Sequence, residues 1–402
     1  MNFLIPSRQN RPTGDVIFTL NGEATKRRAA GESIINATIG SLMNDDGSLA
    51  VLETSARVVH EVGKNDWAPY APIPGTPEFA AAVIHDVFRD QPALKAAATA
   101  VATPGGTGAL RHALMNFLQS GQKMLTTSYY WGPYQTLCDD HERALDTFSM
   151  FDSEGTIDIA ALDAKLKEHL KSQGRVLLFL NDPCHNPTGY SMTRAEWKSV
   201  VACVKDNSAA GPITVLIDMA YYLYGHGADP RGFLNELTPL LGHAALLFAW
   251  SASKSFTHYG LRVGALIAVM ADDKERAATQ AALAYSCRGT WSNVTRGGLV
   301  AMTRLLTDAT LSAACDAERN QLKSMLNRRV EAFNTWAKPK KLIYPRYEGG
   351  FFVTVFAKDW KARHEKMKAA GVFVVPQSEA LRVALCSVAE KDIERLVSAL
   401  AD

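Results

Sequence analysis

Ser251-Ala252-Ser253-Lys254-Ser255-Phe256 follows the apolar run 244–250, and the chain is read most directly from this junction. The run has the length and composition of a short buried strand. A lysine at the end of a core strand is paired or reactive, or else it snorkels to water along its aliphatic stem. Burial lowers an amine's pKa and makes it a nucleophile toward carbonyl carbon. Ser251, Ser253 and, downstream, Arg262 supply hydroxyl and guanidinium donors suited to a phosphate. One account of the window is a lysine joined to a phosphate-bearing carbonyl compound; the other is a structural lysine at a strand end.

Upstream, Asp218 closes the apolar run 213–217, with Tyr221 just beyond it. Ligands of α/β sheets gather at the carboxyl ends of strands, and a buried aspartate requires a cation. The pyridinium nitrogen of pyridoxal phosphate is such a cation, and that cofactor is also the aldehyde Lys254 would take. An N-cap aspartate is the competing account. Asn181-Asp182-Pro183-Cys184-His185-Asn186-Pro187-Thr188-Gly189 follows the run 176–180. Its Asn-Pro and Thr-Gly pairs form turns, unless Asn186 aims an amide at a cofactor oxygen. Gly105-Gly106-Thr107-Gly108 lies between a strand and a helix, where free N–H groups bind anions, but it lacks the lysine of a P-loop. Trp131, past the strand 123–126, either stacks on a flat ring or packs in the core. Arg382 sits inside the apolar run 381–385; a buried arginine needs an anion, and a substrate carboxylate held bidentately would serve.

The 402 residues include 43 Lys+Arg and 41 Asp+Glu, too even a balance for binding nucleic acid by charge. Six scattered cysteines form no CxxC pair, so neither a disulfide framework nor a metal site is indicated, and a reducing cytoplasm fits. No uncharged apolar run approaches the roughly 18–20 residues that span a bilayer. Strand and helix patterns alternate from residue 98 onward, the signature of an α/β fold with a mostly parallel sheet. The expected organisation is an arm at 1–14, a segment 15–47 joining a small domain, a large domain at 48–320, and a small α+β domain at 321–402.

Taken in order, Thr103-Pro104-Gly105-Gly106-Thr107-Gly108-Ala109-Leu110-Arg111, Cys184-His185-Asn186-Pro187-Thr188-Gly189, and Ser251-Ala252-Ser253-Lys254 with Arg262 resemble the class I aminotransferases. These are the aspartate/aromatic branch of the fold-type I pyridoxal phosphate enzymes, and the likeness runs from Asn36 to Arg382. The resemblance implies that Lys254 carries the cofactor and then acts as general base and acid. It implies that Asp218 pairs the ring nitrogen, that Asn186 and Tyr221 bind the phenolic oxygen, and that Trp131 stacks on the ring. Gly106, Thr107, Ser251, Ser253 and Arg262 would hold the phosphate, and Arg382, with Gly40, the substrate α-carboxylate. It further implies a homodimer in which Tyr70 reaches the neighbouring phosphate and Arg288 binds a distal carboxylate. Tyr134 and Asn181 stand where the family often has histidine, so the ring-nitrogen partner is set up differently here.

The expectation is therefore a pyridoxal phosphate-dependent transaminase acting on amino acids, aspartate or glutamate and aromatic ones, and on 2-oxo acids. A lyase on the same fold and a non-catalytic regulator are the rivals. No basic DNA-binding module precedes the region of Lys254, Asp218 and Arg382, which weighs against the regulator.

Overall fold

The computed structural model describes residues 3–227 and 229–401. The first two residues of the expected arm, residue 228 of the expected large domain and residue 402 of the small one lie outside the described residues. The chain forms two compact units, Ala50–Asn327 with Arg346–Phe351, and Met1–Leu49 with Arg328–Pro345 and Phe352–Asp402.

The larger unit is built on a seven-stranded sheet of β1 (Ala98–Pro104), β2 (Lys123–Thr127), β3 (Ala144–Phe148), β4 (Val176–Asn181), β5 (Ile213–Asp218), β6 (Ala245–Ser251) and β7 (Val263–Val269). Their spatial order is β1-β7-β6-β5-β4-β2-β3. β7 runs antiparallel to both its neighbours, and the other pairs are parallel. Successive residues of a strand face opposite sides. Thus Leu178, Leu180, Val215, Ile217 and Phe248 join one apolar layer, while Leu177, Phe179, Leu216 and Ala249 join another. A sheet covered on both faces needs near-continuous apolar strands, and these read that way.

Local sequence sets the helix ends. Asp158 accepts from the Ala161 N–H to open the helix Ile159–Gln173, and Gly174 closes it in the left-handed region at φ 73°. Thr193 and Glu196 form a capping box at the start of Arg194–Asn207.

Two strands escape the sequence pattern. β3 carries a charged residue, Asp146, at its centre and none of its residues but Phe148 is buried, so its periodicity is weak. β7 is fully buried, but its Gly264 and its position just past the lysine disguise it as part of a loop. Strand-helix alternation predicts a crossover helix there; instead the chain turns back after one short helix, Ala252–Ser255.

The smaller unit holds an antiparallel sheet of Val375–Gln377, Ala380–Ala384 and Phe352–Phe356, and a parallel pair of Ile35–Asn36 with Val372–Phe373. Leu20 and Ala24 of the helix Val16–Ala29 pack with Phe373. The helix Ala309–Ala337 contains both residue 320, where the domain boundary is expected, and residue 327, where the larger unit ends.

Candidate active site

The register of the sheet sets out the centre of the larger unit. Asn181, Asp218 and Ala249 are direct neighbours across β4, β5 and β6, at the carboxyl ends of three parallel strands. β6 ends two residues later at Ser251, whose side chain accepts from the Ser253 N–H and so starts the turn that carries Lys254. Lys254 is therefore not in the strand but in the short helix past it.

Asp218 is buried at 6% exposure. The Tyr134 hydroxyl donates to its Oδ2 at 2.8 Å, and the Ala220 N–H reaches its Oδ1 at 3.1 Å. Burial raises its pKa to about 6, against the lowering effect of those two donors. Asn181 donates its amide to the Asp218 carbonyl at 2.8 Å and accepts the Asn186 N–H at 2.6 Å, tying the loop after β4 to the end of β5. The Asn186 amide donates to the Tyr221 hydroxyl at 3.3 Å, while its buried carbonyl oxygen has no hydrogen-bond partner among the described residues. A buried amide oxygen in that state is costly, so the pair points to a ligand group within reach.

The Lys254 amine lies 4.3 Å from the ring centre of Tyr259, 5.7 Å from that of Tyr221 and 5.8 Å from that of Phe351. Tyr221 thus joins the amine on one side to Asn186 on the other. Trp131, half-buried, meets Tyr134 edge-on with 5.8 Å between centroids.

Gly105-Gly106-Thr107-Gly108 forms the first turn of the helix Gly105–Phe117 rather than a loop ahead of it. Gly105 has φ +69°, and a Cβ there would strike the Arg262 guanidinium. A Cβ on Gly264 would come within 2.6 Å of the Gly105 carbonyl oxygen. Glycine is required at both places because two backbones and one guanidinium cross in a space that no side chain can share. Arg262, itself at φ 57°, donates to Ser253 Oγ at 2.9 Å. Helix N–H groups, Ser253 and Arg262 can together hold an anion.

Of the other expected residues, Tyr70 and Arg288 belong to the larger unit, and Arg382 and Gly40 to the smaller. Tyr70 is 87% exposed, and Arg288, also exposed, donates to Ser292 Oγ at 2.7 Å. In the smaller unit Arg382 is buried, donates to the Thr38 carbonyl at 2.5 Å and lies 4.8 Å over the Phe352 ring. A Cβ on Gly40 would meet that same ring at 2.5 Å, so glycine leaves room for Phe352.

Sequence reasoning passes over Tyr259 and Phe351. Tyr259 is close enough in sequence to Lys254 to be found by scanning the loop that ends at Arg262. Phe351 comes from far along the chain, and no local signal marks it. His185, in the midst of the Asn186 motif, is a structural residue: burial pushes its pKa down to about 3, and Thr188 Oγ1 is 2.8 Å from its Nδ1.

Residues 33–400 match the family model for aminotransferase class I and II. The aspartate aminotransferase of Salmonella typhi is 31% identical over 74% of this chain and 75% of its own length. The aromatic-amino-acid aminotransferase of Paracoccus denitrificans is 31% identical, and the match spans 63% of each chain. The crystal structure of an aminotransferase from Anaerococcus prevotii superposes with a TM-score of 0.95 at 30% identity, over 100% of this chain and 99% of the other. With a family model covering nearly its whole length, the chain belongs to the class I and II aminotransferases and is, by that membership, a transaminase.

Proposed function

We propose that the protein uses pyridoxal phosphate to move an amino group between an amino acid and a 2-oxo acid. Aspartate or glutamate is one substrate class and the aromatic amino acids the other, and the working form is a cytoplasmic homodimer. The observation that carries this reading is the contact series Tyr134–Asp218–Asn181–Asn186–Tyr221–Lys254 at the ends of three adjacent strands. The residues fit the cofactor. Asn186 offers an unused buried acceptor beside an amide donor, Asp218 a buried carboxylate, and Ser253 with Arg262 a hydroxyl and a guanidinium beside the start of the helix Gly105–Phe117.

When bound, pyridoxal phosphate supplies an electron sink for the charge left when an amino acid loses its α-proton. Lys254 would hold it covalently and then, as a free amine, take the α-proton and deliver it to the cofactor's former aldehyde carbon. The neighbouring aromatic faces of Tyr259, Tyr221 and Phe351 bound the space in which the amine moves. Asp218 would keep a proton on the ring nitrogen. Asn186 and Tyr221 would bind the phenolic oxygen, and Trp131 would stack on the ring. Gly106, Thr107, Ser251, Ser253 and Arg262, with Tyr70 of the partner subunit, would hold the phosphate. In the smaller unit Arg382 is assigned to the substrate α-carboxylate and Gly40 to the same place; Arg288 is assigned to a distal carboxylate.

The test is a visible absorption spectrum of the purified protein, titrated separately with glutamate, aspartate and phenylalanine. The expected result is a cofactor band, absent from Lys254→Ala, that one or more donors convert to the amine form. Lys254→Ala with the wild-type band and turnover would overturn the assignment. Arg288→Ala is expected to impair aspartate far more than phenylalanine; equal losses would remove it from substrate choice.

A further inference from the structure

Tyr134 is buried, and its ring is held edge-on by Phe179 at 5.4 Å and Trp131 at 5.8 Å between centroids. This packing fixes the direction of its hydroxyl, which donates to Asp218 Oδ2 at 2.8 Å. Asp218 Oδ1 takes the Ala220 N–H at 3.1 Å. Each carboxylate oxygen is thus anchored by one donor and keeps acceptor capacity for a second. Tyr134 from the helix Pro133–Asp140 meets the carboxylate, Ala220 past β5 donates its N–H, Asn181 at the end of β4 donates to the Asp218 carbonyl, and Tyr221 follows three residues on, with the Lys254 amine 5.7 Å from its ring.

A donor on a carboxylate oxygen favours the ionised form over the neutral acid. Here that donor is neutral, and burial together with the nearby Asp218 raises the phenol well above its ordinary value of 10, so it does not give up its own proton. Asp218 would otherwise be driven toward the neutral acid by burial.

We propose that Tyr134 is a positioning residue that keeps Asp218 a carboxylate, so that the proton shared with a bound pyridine ring rests on the ring nitrogen rather than on Asp218. The inference rests on the cofactor reading above. No covalent step is involved beyond one proton: with the phenol present the bond is N–H, and without it the same proton moves to a carboxylate oxygen, leaving neutral pyridine and neutral acid.

The experiment uses the protein loaded with pyridoxal phosphate labelled with ¹⁵N in the ring, and reads the ring-nitrogen chemical shift. The wild type is expected to show a pyridinium value, and Asp218→Asn a neutral pyridine value. Tyr134→Phe is expected to move from the first toward the second; an unchanged pyridinium value would overturn the proposal. If that variant does not fold, Tyr134→Gln keeps an N–H donor and is expected to stay pyridinium-like, and a neutral value there overturns it equally. A wild type with the cofactor's visible band but a neutral ring sinks this inference alone. A wild type with no band at all sinks the cofactor reading as well.

Discussion

Asp218 ties stability to pH through a single side chain. Its folded pKa is raised from 3.8 to about 6, because burial strips water from the carboxylate. A raised pKa means that the folded state holds its proton more tightly than the unfolded one. The stabilisation is fully present below pH 3.8 and is lost as pH rises to about 6. The span of some two pH units corresponds to about 3 kcal/mol. Urea unfolding of the cofactor-free protein at a series of pH values should show this loss, and Asp218→Asn should lack that part of it. Asp182, raised to about 7, adds a slope of its own that is common to both proteins, so the difference isolates Asp218. Identical slopes would mean that Asp218 titrates as an ordinary surface acid. A cation at this carboxylate removes the penalty, which is why the residue type fits a pyridinium partner.

At the level of elements, the site depends on how closely β7 passes the start of the helix Gly105–Phe117. Gly264 and Gly105 meet backbone to backbone, and the Arg262 guanidinium occupies the place of a Gly105 side chain. Gly264→Ala forces a methyl group into this crossing and is expected to cost at least roughly 2 kcal/mol, as for overpacking a dense core. It should also displace Gly105 from Arg262 and weaken cofactor binding. Thermal unfolding and equilibrium titration with pyridoxal phosphate check the two effects. A variant of unchanged stability and affinity would show that the crossing has room to relax. In the sequence Gly105 belongs to an anion-binding turn between strand and helix, and nothing links it to Gly264. That they face each other follows from β7 lying antiparallel beside β1 and β6, a pairing of segments distant in the chain.

For the whole molecule, the proposed dimer with shared sites has a direct test. Lys254→Ala and Tyr70→Phe homodimers, each impaired, are mixed under conditions that let subunits exchange. Hybrid dimers then contain one site built from unaltered parts, and statistical exchange should restore roughly a quarter of wild-type activity. No recovery despite proven exchange would place Tyr70 outside the partner's site. The 87% exposure of Tyr70 in the single chain is compatible with a residue whose partner belongs to another copy. No helix among the described residues is long and apolar enough to cross a membrane.

The sequence by itself determined the α/β class, most strands of the larger unit, and the identity of Lys254, Asp218, Asn186 and Arg262 as residues to examine. It could do so because buried parallel strands are continuous apolar runs, and because a charged or amide side chain at the end of such a run stands out against its neighbours. The tertiary structure alone decided which of these residues meet. Tyr134 donates to Asp218 across 84 positions of chain, Phe351 closes on Lys254 from a later segment, and β7 is a strand paired on both sides rather than part of a loop. Hydrogen-bond pairing and ring packing depend on register between strands and on helix placement, and neither is encoded in any short stretch. Local pattern therefore marks the chemistry of each side chain, while its partner is set by the fold.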